Sequence, residues 1–172
     1  MQTRHILIEP LTPAAFAPFG QIIQTEGAQH YPINNGMTER YHDLAHIELG
    51  GDAPRPLLSI FRGKPYALPL TLALVERHPL GSQAFYPLNG ARWLVIVAED
   101  AAGHPVRLRA FEPAPGQGVN IASNTWHGVL TPLDEAGDFL VVDRGGAGDN
   151  LEEYRLDPPF VVRRQAGTPT PL

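Results

Sequence analysis

Glu76 and His78 stand two residues apart at the end of the apolar run Leu70-Thr71-Leu72-Ala73-Leu74-Val75. In a strand, residues two apart share a face, so parity groups Leu70, Leu72, Leu74, Glu76 and His78. A carboxyl and an imidazole thus close an apolar row. Burying an unpartnered carboxylate is costly, so Glu76 must line an open mouth or meet a partner. The same parity sets Gln83 with Phe85 and Pro87, His127 with Val129, and Asp143 with Phe139 and Val141. Several short segments that place a polar group where an apolar row ends describe the rim of a concave pocket. The chemistry these types supply is proton transfer by imidazole and carboxyl, amide hydrogen bonding, or ligation of a divalent ion.

Strands must carry that rim. Period-2 alternation and short apolar runs predict strands at Tyr41–Leu49, Leu57–Arg62, Leu68–His78, Gln83–Leu88, Arg92–Ala98, Val106–Phe111, Val119–Ile121, Thr125–Leu130 and Phe139–Asp143. Turn signals such as Gly63-Lys64-Pro65, Pro79-Leu80-Gly81, Asn89-Gly90 and Gly116-Gln117-Gly118 separate them. One short helix is expected from Pro10 to Gly20, with Thr12 as N-cap, Pro13 in the first helical position and Gly20 as the stop. Asn34-Asn35-Gly36 reads as a turn with left-handed residues. Many short strands between turns favour a closed or double-sheet all-β fold, because closure removes exposed edges.

Composition removes several alternatives. The chain has 172 residues, enough for one domain with a sizeable core. It has no cysteine, so a thiol nucleophile and Cys-ligated zinc are excluded. Lys64 is its only lysine, which leaves Schiff-base chemistry with one candidate. With 13 Lys+Arg against 18 Asp+Glu, the net charge of −5 disfavours nucleic acid as a partner. No apolar run approaches the roughly 18 residues of a membrane span and no leader pattern opens the chain, so no membrane partner and a cytoplasmic location are expected. Its basic residues are almost all arginine, the side chain suited to forked recognition of carboxylates. The expected organisation is a single catalytic domain over 1–164, followed by a flexible Pro/Thr-rich tail over 165–172.

The spacing of Glu76-x-His78, Gln83 and Gly90 resembles the first motif of cupin barrels, where His-x-His, Glu and Gly stand at those positions. Gly116, Ala122-x-Asn124, His127 and Thr131 keep the spacing of the second cupin motif. The resemblance implies a cupin-like double-stranded β-helix, a jelly-roll barrel. It also makes Glu76, His78, Gln83 and His127 the four positions that would hold a metal. Glu for His and Gln for Glu depart from the usual ligand set, so the same pocket working without metal is a reading of equal chemical sense.

Longer strings narrow the family. Ile33-Asn34-Asn35-Gly36, Glu39-Arg40-Tyr41-His42-Asp43-Leu44-Ala45, the run from Glu76 to Phe85, Trp126-His127 and Asp143-Arg144-Gly145-Gly146 are similar to bacterial ureidoglycolate lyases. That resemblance implies cleavage of the small-molecule substrate (S)-ureidoglycolate to glyoxylate and urea in allantoin degradation, by a homodimer whose activity responds to a divalent metal ion, nickel in particular. On that reading His127 or His78 takes the hydroxyl proton, and Glu76 orients a histidine or acts as the acid. Gln83 bonds the ureido group, while Arg40 or Arg144, with Arg62 as a further candidate, binds the carboxylate. The rival activities are an amidohydrolase that releases ammonia and a non-catalytic cupin that senses a small carboxylate.

Overall fold

The computed structural model describes residues 4–167, and 168–172 of the expected tail lie outside the described residues. Its strands are β1 (Arg4–Pro10), β2 (Gly20–Ile23), β3 (His30–Ile33), β4 (Thr38–Tyr41), β5 (Arg55–Gly63), β6 (Leu70–Arg77) and β7 (Gln83–Pro87). There follow β8 (Trp93–Ala101), β9 (His104–Glu112), β10 (Gly118–Ile121), β11 (Trp126–His127), β12 (Thr131–Pro132), β13 (Gly137–Gly145) and β14 (Glu152–Arg163). The short helix α1 spans Pro13–Phe16, and the Thr12 side chain caps it by accepting from the Ala15 N–H.

One sheet runs β11-β6-β14-β1-β9-β8-β12, and β11 also bonds β8, so six of its strands close into a barrel. A five-stranded sheet, β2-β10-β7-β13-β5, packs beside it, and β3 and β4 form a separate hairpin. This is the closed all-β architecture that the strand pattern predicts, and it agrees with the cupin-like barrel that the resemblance implies. One apolar cluster draws on the closed sheet, with Ile6, Leu72, Val75, Ile96, Trp126 and Val162 among its members. The other joins Trp93, Val95, Val97 and Phe111 to Phe85, Val119, Ile121, Phe139 and Val141 of the second sheet, with Phe16 and Phe19 from around α1. Strand β8 serves both. Trp93, Val95 and Val97 face one cluster while Leu94, Ile96 and Ala98 face the other, which is why its sequence is a continuous apolar run.

Three expectations need correction. No strand covers Tyr41–Leu49; beyond β4 the segment runs irregularly, with Asp43 at φ 53° and side-chain ties at its far end. The predicted Thr125–Leu130 strand shrinks to the two residues of β11, and the predicted helix to one turn. Strands β1, β2, β3, β12 and β14 lack a counterpart among the expectations, and β4 shares only Tyr41 with one. In β14 the Pro158-Pro159 pair hides the pattern, and the ladder with β6 shifts register between Arg155 and Phe160, where those residues sit. The turn at Asn34-Asn35-Gly36 is as expected, with φ of 53°, 54° and 83°.

Candidate active site

Register decides which way the site residues point. His127 lies directly opposite Glu76 on β6 and Val97 on β8, so it shares their side of the sheet, and Val97 belongs to the cluster between the two sheets. Gln83 lies opposite Ile121 of that same cluster. Asp143 continues the row of Phe139 and Val141, and Gln83 Nε2 reaches Asp143 Oδ2 at 3.5 Å, a long contact. Glu76, His78 and His127 thus form one group and Gln83 and Asp143 a second, with His127, Gln83 and Asp143 turned by their register toward the space between the sheets. The single parity row read from Leu70 to His78 does not hold along β6, because Leu72 and Val75 pack into the same cluster and the strand changes face between them.

Both imidazoles are fixed by backbone carbonyls. His78 Nδ1 lies 2.7 Å from the Asn150 carbonyl and His127 Nδ1 lies 2.9 Å from that of Thr125. A carbonyl only accepts, so each Nδ1 carries the proton and each Nε2 presents a lone pair. Those two Nε2 atoms are buried without a hydrogen-bond partner, and they stand 3.9 Å and 3.7 Å from Glu76 Oε1. The rings are 5.2 Å apart between centroids. Burial pushes the His127 imidazole down to about 4, against the Thr125 carbonyl bond, and nearby His78 lowers it a little further. Burial also raises the Glu76 carboxyl above its ordinary value, with His78 pulling it down and Glu153 pushing it up.

Glu76, His78 and His127 bring ligand atoms within 4.8 Å of one another. Two neutral imidazoles whose protonated nitrogens are tied to carbonyls, and whose lone pairs face a carboxylate, fit a divalent ion; tying the remote nitrogen is the usual outer support of a metal-binding histidine. The Gln83 amide points to Asp143.

The two arginines expected at the carboxylate are elsewhere. Arg144 alternates with Asp143 and leaves β13 on the opposite face, where its guanidinium donates to the carbonyls of Gly50, Asp52 and Ala147. It fastens the loop before β5 to the loop after β13. Arg40 sits exposed on β4 with its guanidinium 5.9 Å above the Tyr31 ring. Strand β2 runs from Gly20, opposite Ile121, to Ile23, opposite Gly118, and the base of the hairpin at Gln29 and His42 lines a cavity with Gly20 and Gln21. Arg62 forms a forked pair with Asp138. A cavity of about 710 Å³ lined by Tyr66, Arg92, Asp134 and Arg163 includes none of the converging residues.

Supporting residues that the sequence reading missed come from irregular segments. Asn150 supplies its carbonyl to His78 and its side-chain oxygen to the Leu80 N–H, which fixes the turn between Glu76 and Gln83. Glu48 accepts from the Ser123 N–H, and its own N–H donates to Ser82 Oγ. Loop residues that act through their backbone leave no periodic signal.

Comparison with known proteins identifies the family. The family model for ureidoglycolate lyase matches residues 3–163. The chain belongs to the ureidoglycolate lyase family. It is 59% identical over 159 residues to the ureidoglycolate lyase of Chelativorans sp. (strain BNC1), covering 92% of this chain and 96% of that protein. It is 55% identical to ureidoglycolate lyase 2 of Rhizobium meliloti (strain 1021), over 90% of this chain and 95% of that protein. It is also 56% identical to the ureidoglycolate lyase of Brucella melitensis biotype 2, over 90% of this chain and 91% of that protein.

Proposed function

We propose that this member of the ureidoglycolate lyase family splits (S)-ureidoglycolate into glyoxylate and urea at the cluster of Glu76, His78 and His127. The observation that carries the reading is the pair of buried, lone-pair-bearing Nε2 atoms facing one carboxyl of raised pKa. Cleavage moves the hydroxyl proton to a base while its electrons form the aldehyde C=O. The C–N bond pair stays with the urea nitrogen, which takes a proton, and no water is consumed.

Burial that holds His127 near 4 opposes its taking a full proton, so His127 accepts a hydrogen bond and orients the hydroxyl. His78, its tautomer fixed by Asn150, accepts the proton. Glu76, whose carboxyl burial pushes above its ordinary value, delivers a proton to the leaving nitrogen. Gln83 donates to the ureido carbonyl. Glu76, His78 and His127 are also the residues that would hold a divalent ion; with their lone pairs given to it, such an ion would polarise the hydroxyl and offset the substrate's negative charge in place of the His78 and Glu76 proton transfers. Arg40 is the remaining arginine for the carboxylate. Exposed on a hairpin that belongs to neither larger sheet, it would act at the neighbouring site of a homodimer.

The test is turnover of ureidoglycolate with urea and ammonia assayed separately, before and after chelation and with nickel, manganese or zinc restored. Urea without ammonia is expected. His127→Ala and Glu76→Gln should each lower the rate above the non-enzymatic background by about 10²- to 10⁴-fold. Ammonia in place of urea would favour the amidohydrolase.

A further inference from the structure

Asp143 has no part in the proton transfers above, yet its carboxyl stands beside Gln83 with almost no hydrogen bonding of its own. Its Oδ1 is buried with no hydrogen-bond partner, and its Oδ2 has only the 3.5 Å approach of Gln83 Nε2. A buried acceptor left unmade costs about 1–3 kcal/mol, more when charged, and such an orphan calls for a reason. Phe139 and Val141 precede it on the same face of β13, both fully buried, so the carboxyl is held at the end of a rigid apolar row. The arginine next in sequence offers no relief, because Arg144 leaves the strand on the other face and donates to backbone carbonyls there.

Neutral groups rich in N–H donors complement such a carboxyl. A ureido group presents one N–H from each nitrogen, side by side and directed away from its carbonyl, a fork that matches the two oxygens of a carboxylate. Its carbonyl then points the other way and needs a donor. We infer that Asp143 is the receptor for the ureido end of the substrate, its two oxygens accepting the paired N–H groups. This rests on the ureidoglycolate reading and adds to it the residue that selects urea-like substrates over other carbinols. An analogue without the N–H fork leaves the carboxyl buried and unpaired, and that asymmetry is what gives strong discrimination.

The product urea carries the fork and the product glyoxylate does not, so the two can be titrated separately. Ligand-observed NMR on the wild type and on Asp143→Asn should show urea weakened about tenfold or more by the variant, with glyoxylate within about twofold. The kcat/KM for ureidoglycolate should fall in step with the loss of urea binding. Unchanged urea affinity in the variant, equal weakening of both products, or a wild type that does not bind urea would overturn the assignment. Failure of the lyase reading is a separate result, visible as a wild type that forms no urea from ureidoglycolate.

Discussion

His127 makes the protein sensitive to acid in a defined direction. Its imidazole titrates near 6.5 when unfolded and near 4 when folded. Between those values the unfolded chain binds the additional proton, so stability falls as pH drops from 6.5 to 4, by up to about 3 kcal/mol. Glu76 acts with the opposite sign. Its raised folded value contributes stability at low pH that is lost as pH rises through that value. We therefore expect the melting temperature of the chelated protein to fall between pH 6.5 and 4.5, and His127→Gln to flatten that slope. An identical slope in the variant would mean that the acid-sensitive group lies elsewhere.

At the scale of elements, Arg144 shows how a correct string can mislead about role. The Asp143-Arg144 pair stands in a family-specific block, but strand alternation sends the two side chains to opposite faces, one toward the site and one under a loop. Arg144→Met should cost about 2–4 kcal/mol from its lost charged hydrogen bonds, read as a lower melting temperature, while the KM for ureidoglycolate stays within about twofold. A raised KM would instead restore Arg144 as the carboxylate anchor. The same contrast explains what was legible beforehand. Gln83 and Asp143 stand at the ends of alternating rows in β7 and β13, which a period of two exposes, whereas the row behind Glu76 changes face along β6 and β11 is too short to show a period. Strands with clear alternation, such as β7, β9 and β13, are found within a few residues. Strand β14 is masked by its two prolines, and Asn150 and Glu48 act from loops where no period exists.

At the scale of the whole molecule, the isolated β3–β4 hairpin bears on assembly. It pairs with neither larger sheet, and it carries Arg40 with no acidic partner among the described residues. If Arg40 meets the substrate carboxylate across a homodimer, Arg40→Ala and His127→Ala damage different halves of one site. Mixing the two inactive variants under exchange should restore activity to about a quarter of wild type. Half of randomly formed dimers are mixed, and each of those holds one intact site of two. Absence of recovery would return Arg40 to a role within its own chain or at the surface.

Strand β8 gives the molecule a party wall. Val97 looks out beside His127 and Ile96 looks the other way, into the barrel's own filling, so one ribbon of backbone divides two chambers. Close-packed interiors transmit a displaced methyl group to their neighbours rather than absorbing it. A replacement at Ile96 or Leu94, on the side remote from any substrate, will thus be felt as a tilt of the imidazole across the partition, and tuning of this catalyst can come from a room its substrate never enters.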